Sequence, residues 1–150
     1  MYDKARIEDE NKIVLKYGLK NKREIWKAQA RVSELRKRAK MLIPQSDEAK
    51  AKFFEKLNRM GFKISNISDV LALTTENWLQ RRLQTIVSQK GLAKTPKQAR
   101  QLIAHKYVMV NGKAVGAPSF FVTVDVENKI QLKAMKQKAV KEKVTVGETQ

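Results

Sequence analysis

Thr95-Pro96-Lys97-Gln98-Ala99-Arg100-Gln101-Leu102-Ile103, then His105-Lys106-Tyr107-Val108-Met109-Val110-Asn111-Gly112-Lys113, is a run with two strong punctuation marks. Thr95 is a hydroxyl N-cap, Pro96 suits the first helical position, and Gln98 stands at N3, placed to reach back to the cap. Ala99, Leu102 and Ile103 then share one inward face. After His105 the apolar period changes from helical to alternating. Tyr107 to Val110, Asn111-Gly112 and Lys113 to Val115 read as a hairpin, because Asn-Gly fits a type I′ turn in which both central residues take positive φ.

Outward from this run, Gln80 to Val124 holds eight Lys or Arg and no Asp or Glu; Glu76 precedes it and Asp125 follows it. The whole chain of 150 residues carries 32 Lys+Arg against 15 Asp+Glu, a net charge of +17. Such an excess makes the compact state repel itself, so an anionic partner is implied. Clustered Lys and Arg with a pI near 10.2 are the footprint of nucleic-acid binding. There is no cysteine, which excludes disulfides and thiolate metal sites. His105 is the only histidine, so a helix-end or polar-contact role is expected of it rather than metal ligation. No apolar run approaches the roughly 20 residues of a membrane span. Met1 to Arg6 leads into acids with no apolar core of a signal peptide. A soluble, cytoplasmic protein without cofactor, membrane association or small-molecule substrate is expected.

The rest of the chain reads mainly as helices. Residues 3 to 17 form one, with Ile7, Val14 and Tyr17 on a face and Gly18 as its C′ residue. Asn21 and Glu24 are spaced as a capping-box pair for the second. Ile25, Ala28, Val32, Leu35, Ala39 and Leu42 give it one apolar stripe, and Pro44 stops it. Its other faces carry Lys22, Arg23, Lys27 and Arg31. Ser46-Asp47-Glu48 opens a third helix with buried Phe53, Phe54, Leu57 and Met60, ended by Gly61. A fourth is expected from Thr74 or Thr75 through about Gln89, with Leu79, Leu83, Ile86 and Val87 inward. Leu92-Ala93-Lys94 connects it to the helix that Thr95 caps. Beyond the hairpin, Phe120 to Val124 and Lys129 to Leu132 read as two more strands, joined at Glu127-Asn128. Trp26 and Trp78, beside apolar neighbours at helical spacing, are read as core.

These elements place cations together. Lys97 and Arg100, three residues apart, share a side of their helix, and Gln101, His105 and Lys106 adjoin. The helix N-terminus adds backbone N–H groups suited to a phosphate. Arg81 and Arg82 extend the patch; Asn111 and Lys113 add the hairpin turn. Phosphate contacts of this kind position a protein on folded RNA.

Arg81-Arg82-Leu83-Gln84, Gly91-Leu92-Ala93, Thr95 to Ile103, His105-Lys106 and Val108 to Lys113 resemble the RNA-binding module, the alpha-L motif, of the S-four family of small-subunit ribosomal proteins. Lys16 to Trp26 resembles the N-terminal helical part of that family's archaeal and eukaryotic branch. The resemblance spans roughly Tyr2 to Leu132. It implies an α+β fold with a helical domain over 1–73, an alpha-L RNA-binding module of two helices and a small antiparallel sheet over 74–133, and a basic tail over 134–150 that packs back or stays loose. It implies a structural, non-enzymatic constituent of the small ribosomal subunit. That constituent binds small-subunit (16S) rRNA, nucleates assembly of the subunit body, contacts the neighbouring protein S-five, lies near the messenger-RNA entry region and contributes to translational accuracy. The RNA-facing positions so implied are Arg81, Arg82, Lys94, Thr95, Lys97, Gln98, Arg100, Gln101, His105, Lys106, Asn111 and Lys113, with Lys22, Arg23, Lys27 and Arg31 on the second helix.

The resemblance departs in two places: there is no cysteine for the N-terminal cluster of many bacterial relatives, and Met1 falls almost at the first helix, where archaeal relatives usually carry a basic arm, so RNA contacts from such an arm are not expected. The short length points to an archaeal rather than a eukaryotic source. The competing reading is a free RNA-binding factor or an accessory of an RNA-modifying enzyme built on the same module. A modifying enzyme needs a further catalytic domain, for which the chain leaves little room. A helix-turn-helix regulator of DNA is disfavoured because a hairpin, not a third helix, follows.

Overall fold

The long apolar stripe of the second helix organises the N-terminal half, and the capped helix with its hairpin organises the C-terminal half. The computed structural model describes residues 3–133. Helix α1 spans Lys4–Tyr17, α2 Arg23–Leu42, α3 Asp47–Arg59, α4 Ile67–Ala72, α5 Thr75–Gln80, α6 Leu83–Gln89 and α7 Pro96–Ala104. Strands β1 (Val108–Val110) and β2 (Lys113–Ala114) follow, then α8 (Val124–Glu127) and β3 (Ile130–Leu132). The mixture is the expected α+β. The tail over 134–150 lies outside the described residues.

Ile25, Ala28, Val32 and Ala39 of α2 are buried, as their spacing requires. Val32 and Ala39 meet Phe53 and Leu57 of α3, with Phe62, Ile64, Val70 and Leu73 around them. Ile25 and Ala28 meet Tyr17, Leu19 and Leu79. Gly18 closes α1 in the left-handed region at φ 59°, its N–H and that of Leu19 returning to Leu15 and Val14. The third core joins α6 and α7 to the sheet: Leu83, Ile86, Val87, Ala99, Ile103, Val108, Val110, Val122 and Ile130.

Three boundaries differ from the sequence reading. The expected fourth helix is two, α5 and α6, broken at Arg81-Arg82. There Arg82 turns extended (φ −77°, ψ 145°) and pairs with Phe121 as an isolated bridge. The Leu83 N–H goes to Phe120 O at 2.8 Å, and Val122 N–H comes to Arg81 O at 2.9 Å. A non-local pairing thus takes groups that a continuous helix would have used. For the same reason Phe120 to Val124 is not a strand of the sheet: its partner is that kink, and Val124 turns at once into α8, with Thr123 at the N-cap position. The sheet order is β2-β1-β3, all antiparallel, with Val110 opposite both Lys113 and Ile130. Finally, α2 begins at Arg23 with Lys22 as N-cap and no side-chain cap bond. Asn21 and Glu24 form no capping box.

The hairpin is as expected, with Asn111 at φ 50° and Gly112 at φ 77°. Trp78 packs in the core at 4.6 Å from Phe121 by ring centroid. Trp26 does not: it is 48% exposed, and its indole N–H donates to Glu10. Position 26 falls beside the stripe rather than on it, and the buried Glu10 carboxylate offers the N–H a partner at the surface.

Candidate nucleic-acid interface

The start of α7 is built as its sequence says. Thr95 Oγ1 accepts the Gln98 N–H at 3.2 Å, and Gln98 Oε1 accepts the Lys94 N–H at 2.9 Å. These bonds occupy the side chains of Thr95 and Gln98, two of the positions expected to face RNA. They also close the expected phosphate seat. Pro96 has no N–H, Gln98's is capped, and Ala99's goes to Thr95 O. That leaves Lys97, and Gly18 lies over it: a Cβ at Gly18 would stand 3.1 Å from the Lys97 nitrogen. The helix end is thus used to dock the α1–α2 corner.

Thr95 and Gln98 stay exposed, but three other expected contacts, Arg81, Arg82 and Arg100, are wholly or partly buried. Arg82 is 4% exposed. Its Nη2 meets Glu24 Oε2 at 2.5 Å, and Arg100 Nη2 meets Glu24 Oε1 at 3.0 Å. Arg100 Nη1 also donates to Gln84 Oε1 at 3.3 Å. Gln84 itself is 1% exposed, and its Nε2 lies within 3.1 Å of the carbonyls of Tyr17, Gly18 and Pro96. Arg81 donates through Nε and Nη2 to Val122 O and through Nη1 to Glu127. Arg81 and Arg82 therefore do not extend an exposed patch, and Arg100 joins α7 to α2. Each residue looked surface-bound because its acidic partner lies 46 to 76 positions away in sequence.

Burial pushes the Glu24 carboxyl up, but the Arg100 and Arg82 guanidiniums outweigh it and hold it below the usual carboxylate range. Burial likewise raises Glu10, while Trp26, Arg6 and Lys22 bring it down. Lys16 and the Tyr17 hydroxyl lower Glu76. A carboxylate lowered in the folded state binds fewer protons there than in the unfolded chain. Its stabilisation is complete above the unfolded pKa of about 4.3 and disappears as pH falls through the folded value. Denaturant midpoints should be flat from pH 7 to about 5 and fall steeply below about 4, with Trp26 fluorescence reporting the loss of Glu10.

The remaining expected residues do share the surface. Lys94, Lys97, Gln101, His105, Lys106, Asn111 and Lys113 are all exposed. Lys106 is held at φ 59°, where the α7 C-terminus closes through Tyr107 N–H to Leu102 O at 3.0 Å. His105 is the C-cap residue of α7, its ring 6.3 Å from Tyr107. Tyr107 and Phe120 are each 39% exposed. On α2, Arg23 and Lys27 are exposed, Arg31 pairs with Glu34 at 3.1 Å, and Lys22 leans on Glu10 at 3.5 Å. Among the described residues, no acid lies within ion-pair distance of Lys27, Lys94, Lys97, Lys106 or Lys113. A cleft of about 430 Å³ lies between α2 and the module, lined by Lys27 and Arg31 on the α2 side, by Arg82 and Arg100 on the other, and by Pro118-Ser119. Sequence reasoning missed Glu24 and Gln84 as organisers of this cleft. Gln84 carried a signal, an amide inside the apolar run Leu83 to Val87; Glu24 carried none beyond its capping-box spacing.

The S4 domain family matches residues 81–128, from the Arg81-Arg82 kink through α8. Small ribosomal subunit protein uS4 of Thermoplasma volcanium is 45% identical over 138 residues, covering 86% of this chain and 69% of that protein. The chain belongs to the uS4 family. The uS4 of Methanococcus aeolicus is 45% identical over 132 residues, covering 83% of this chain and 75% of its own. The uS4 of a Saccharolobus islandicus strain is 46% identical over 134 residues, covering 85% and 74%. These uS4 relatives are archaeal, and the likeness extends well beyond the S4 domain into the helical half. No helix among the described residues is long and apolar enough to cross a membrane.

Proposed function

We propose that this uS4-family chain is a structural constituent of the small ribosomal subunit and binds its rRNA through two cationic walls. The observation that carries the reading is the set of exposed lysines without acid partners among the described residues, Lys94, Lys97, Lys106 and Lys113 on the module and Lys27 on α2, the last beside a cleft that Arg31 and Arg100 also line. The working division is a helical domain over 1–73 and an RNA-binding module over 74–133, joined by the contacts of the half-buried Glu24 and the buried Gln84. Binding needs no chemical step: lysines neutralise phosphates and release counterions. Arg23, Gln101, His105 and Asn111 add polar contacts, and Tyr107 supplies an aromatic edge. In this reading the chain acts early in assembly of the subunit body, in the cytoplasm. It meets protein S-five and messenger RNA near its entry region, and so bears on decoding accuracy.

Affinity for a folded fragment of small-subunit rRNA should fall steeply with salt. Lys97→Ala and Lys106→Ala should each weaken binding and reduce the slope of log K against log salt by about 1, because each removes one phosphate contact. Filter binding from 50 to 300 mM salt, with duplex DNA as competitor, measures this (about a tenfold loss per site is the expected scale). Unchanged slopes in both variants, or preference for the duplex, would remove the basis of the reading.

A further inference from the structure

Glu24 is an acid retained inside a cationic cleft of a protein with a net charge of +17. Simple electrostatics makes it a liability for a polyanion binder, and removing it would raise affinity. The geometry points to the opposite: we infer that Glu24 is a positioning residue for RNA recognition, fixing the angle between α2 and the RNA-binding module. The inference rests on the RNA-binding reading above.

Its two oxygens are shared between Arg82, at the α5–α6 kink, and Arg100, on α7. Three elements distant in sequence therefore converge on one carboxylate. Arg82 depends on it: Nη2 is bound to Glu24, and the buried Nη1 has no partner among the described residues. Arg100 is divided between Glu24 and Gln84, and Gln84 in turn holds the α1–α2 corner. Lys27 and Arg31 lie one and two turns further along α2 on the same cleft. Glu24 thus sets where those cations stand relative to Lys97 and Lys106. A rigid double wall meets an RNA without losing freedom on binding, which is how preorganisation raises affinity.

The test is Glu24→Gln in the full chain, with a folded small-subunit rRNA fragment as the probe. Glutamine keeps the shape but cannot neutralise two guanidiniums. The expected result is an affinity loss of about tenfold with the salt slope unchanged, because the same phosphates are contacted by less ordered groups. A gain in affinity overturns the inference, since Glu24 would then merely repel RNA. A slope steeper by about 1 also overturns it, since the freed Arg100 would be a better phosphate contact than a strut. Ile103→Val, which loosens the module core away from the joint, separates positioning from general stability. It should bind like wild type at a temperature where both variants keep their helical circular dichroism. Equal losses in the two variants overturn the inference and leave RNA binding standing, whereas failure of the wild type to bind the fragment overturns both.

Discussion

Gln84→Leu should lower stability by about 3 kcal/mol or more, a loss of roughly 10 °C in Tm for a chain of this size. The side chain is 1% exposed, so leucine replaces it without a change in solvent contact. What changes is hydrogen bonding. The two N–H groups of one amide nitrogen are shared among three carbonyls, of Tyr17, Gly18 and Pro96, at 3.1, 2.9 and 2.9 Å, and the amide oxygen accepts from Arg100. Leucine strips all of these at once. A buried carbonyl left without a donor costs about 1–3 kcal/mol, and the apolar gain of leucine over glutamine does not offset the loss of both N–H donors. The exposed Gln101 on α7 is the control: Gln101→Leu should stay within about 0.5 kcal/mol. Urea denaturation of the two variants measures the contrast. If Gln84→Leu proves neutral, the amide does not join the two halves.

The elements that local chemistry dictates were legible. Thr95-Pro96 placed the start of α7, Asn111-Gly112 the hairpin, and the step of three and four from Ile25 to Leu42 the buried face of α2. Each depends on residues within one or two turns of one another. What was not legible depended on partners far away. The α5–α6 break exists because Phe120 and Val122 pair with the backbone on either side of it. Nothing in Leu79 to Leu83 announces that pairing; no glycine or proline marks the kink. Cations were misplaced for the same reason. Arg81, Arg82 and Arg100 read like Lys97 or Lys106 in a window of ten residues, yet the first three are bound by Glu127 and Glu24. Arginine was the available hint: its planar fork suits buried carboxylates and carbonyls, whereas lysine is a hydrated point charge better left at the surface. On that criterion the acid-free stretch divides correctly, its arginines inward and Lys94, Lys97, Lys106 and Lys113 outward.

Gly18→Ala should be among the most damaging small changes in the chain, and its comparison with Gly112→Ala should show why. Both glycines have positive φ, 59° and 77°, so each alanine costs about 1–2 kcal/mol in backbone strain. At Gly112 the added methyl meets nothing within 4 Å, so strain is the whole cost. At Gly18 it would lie 2.9 Å from Pro96 Cβ and 3.1 Å from both the Pro96 carbonyl carbon and the Lys97 nitrogen. Two of those three atoms are backbone at a capped helix start, and the third is a proline ring fixed at the same point, so none can swing aside. The α1–α2 corner must move off α7, lengthening the bonds from Gln84 to Tyr17 and Gly18. We expect about 3 kcal/mol or more at Gly18 against about 1 kcal/mol at Gly112. The RNA response should diverge too. Gly112→Ala perturbs only the hairpin tip beside Asn111 and Lys113, whereas Gly18→Ala shifts the whole α2 wall with Lys27 and Arg31. Equal stability losses in calorimetry would mean that only the turn geometry matters at position 18, and that the glycine is not there to let the α1–α2 corner approach the start of α7.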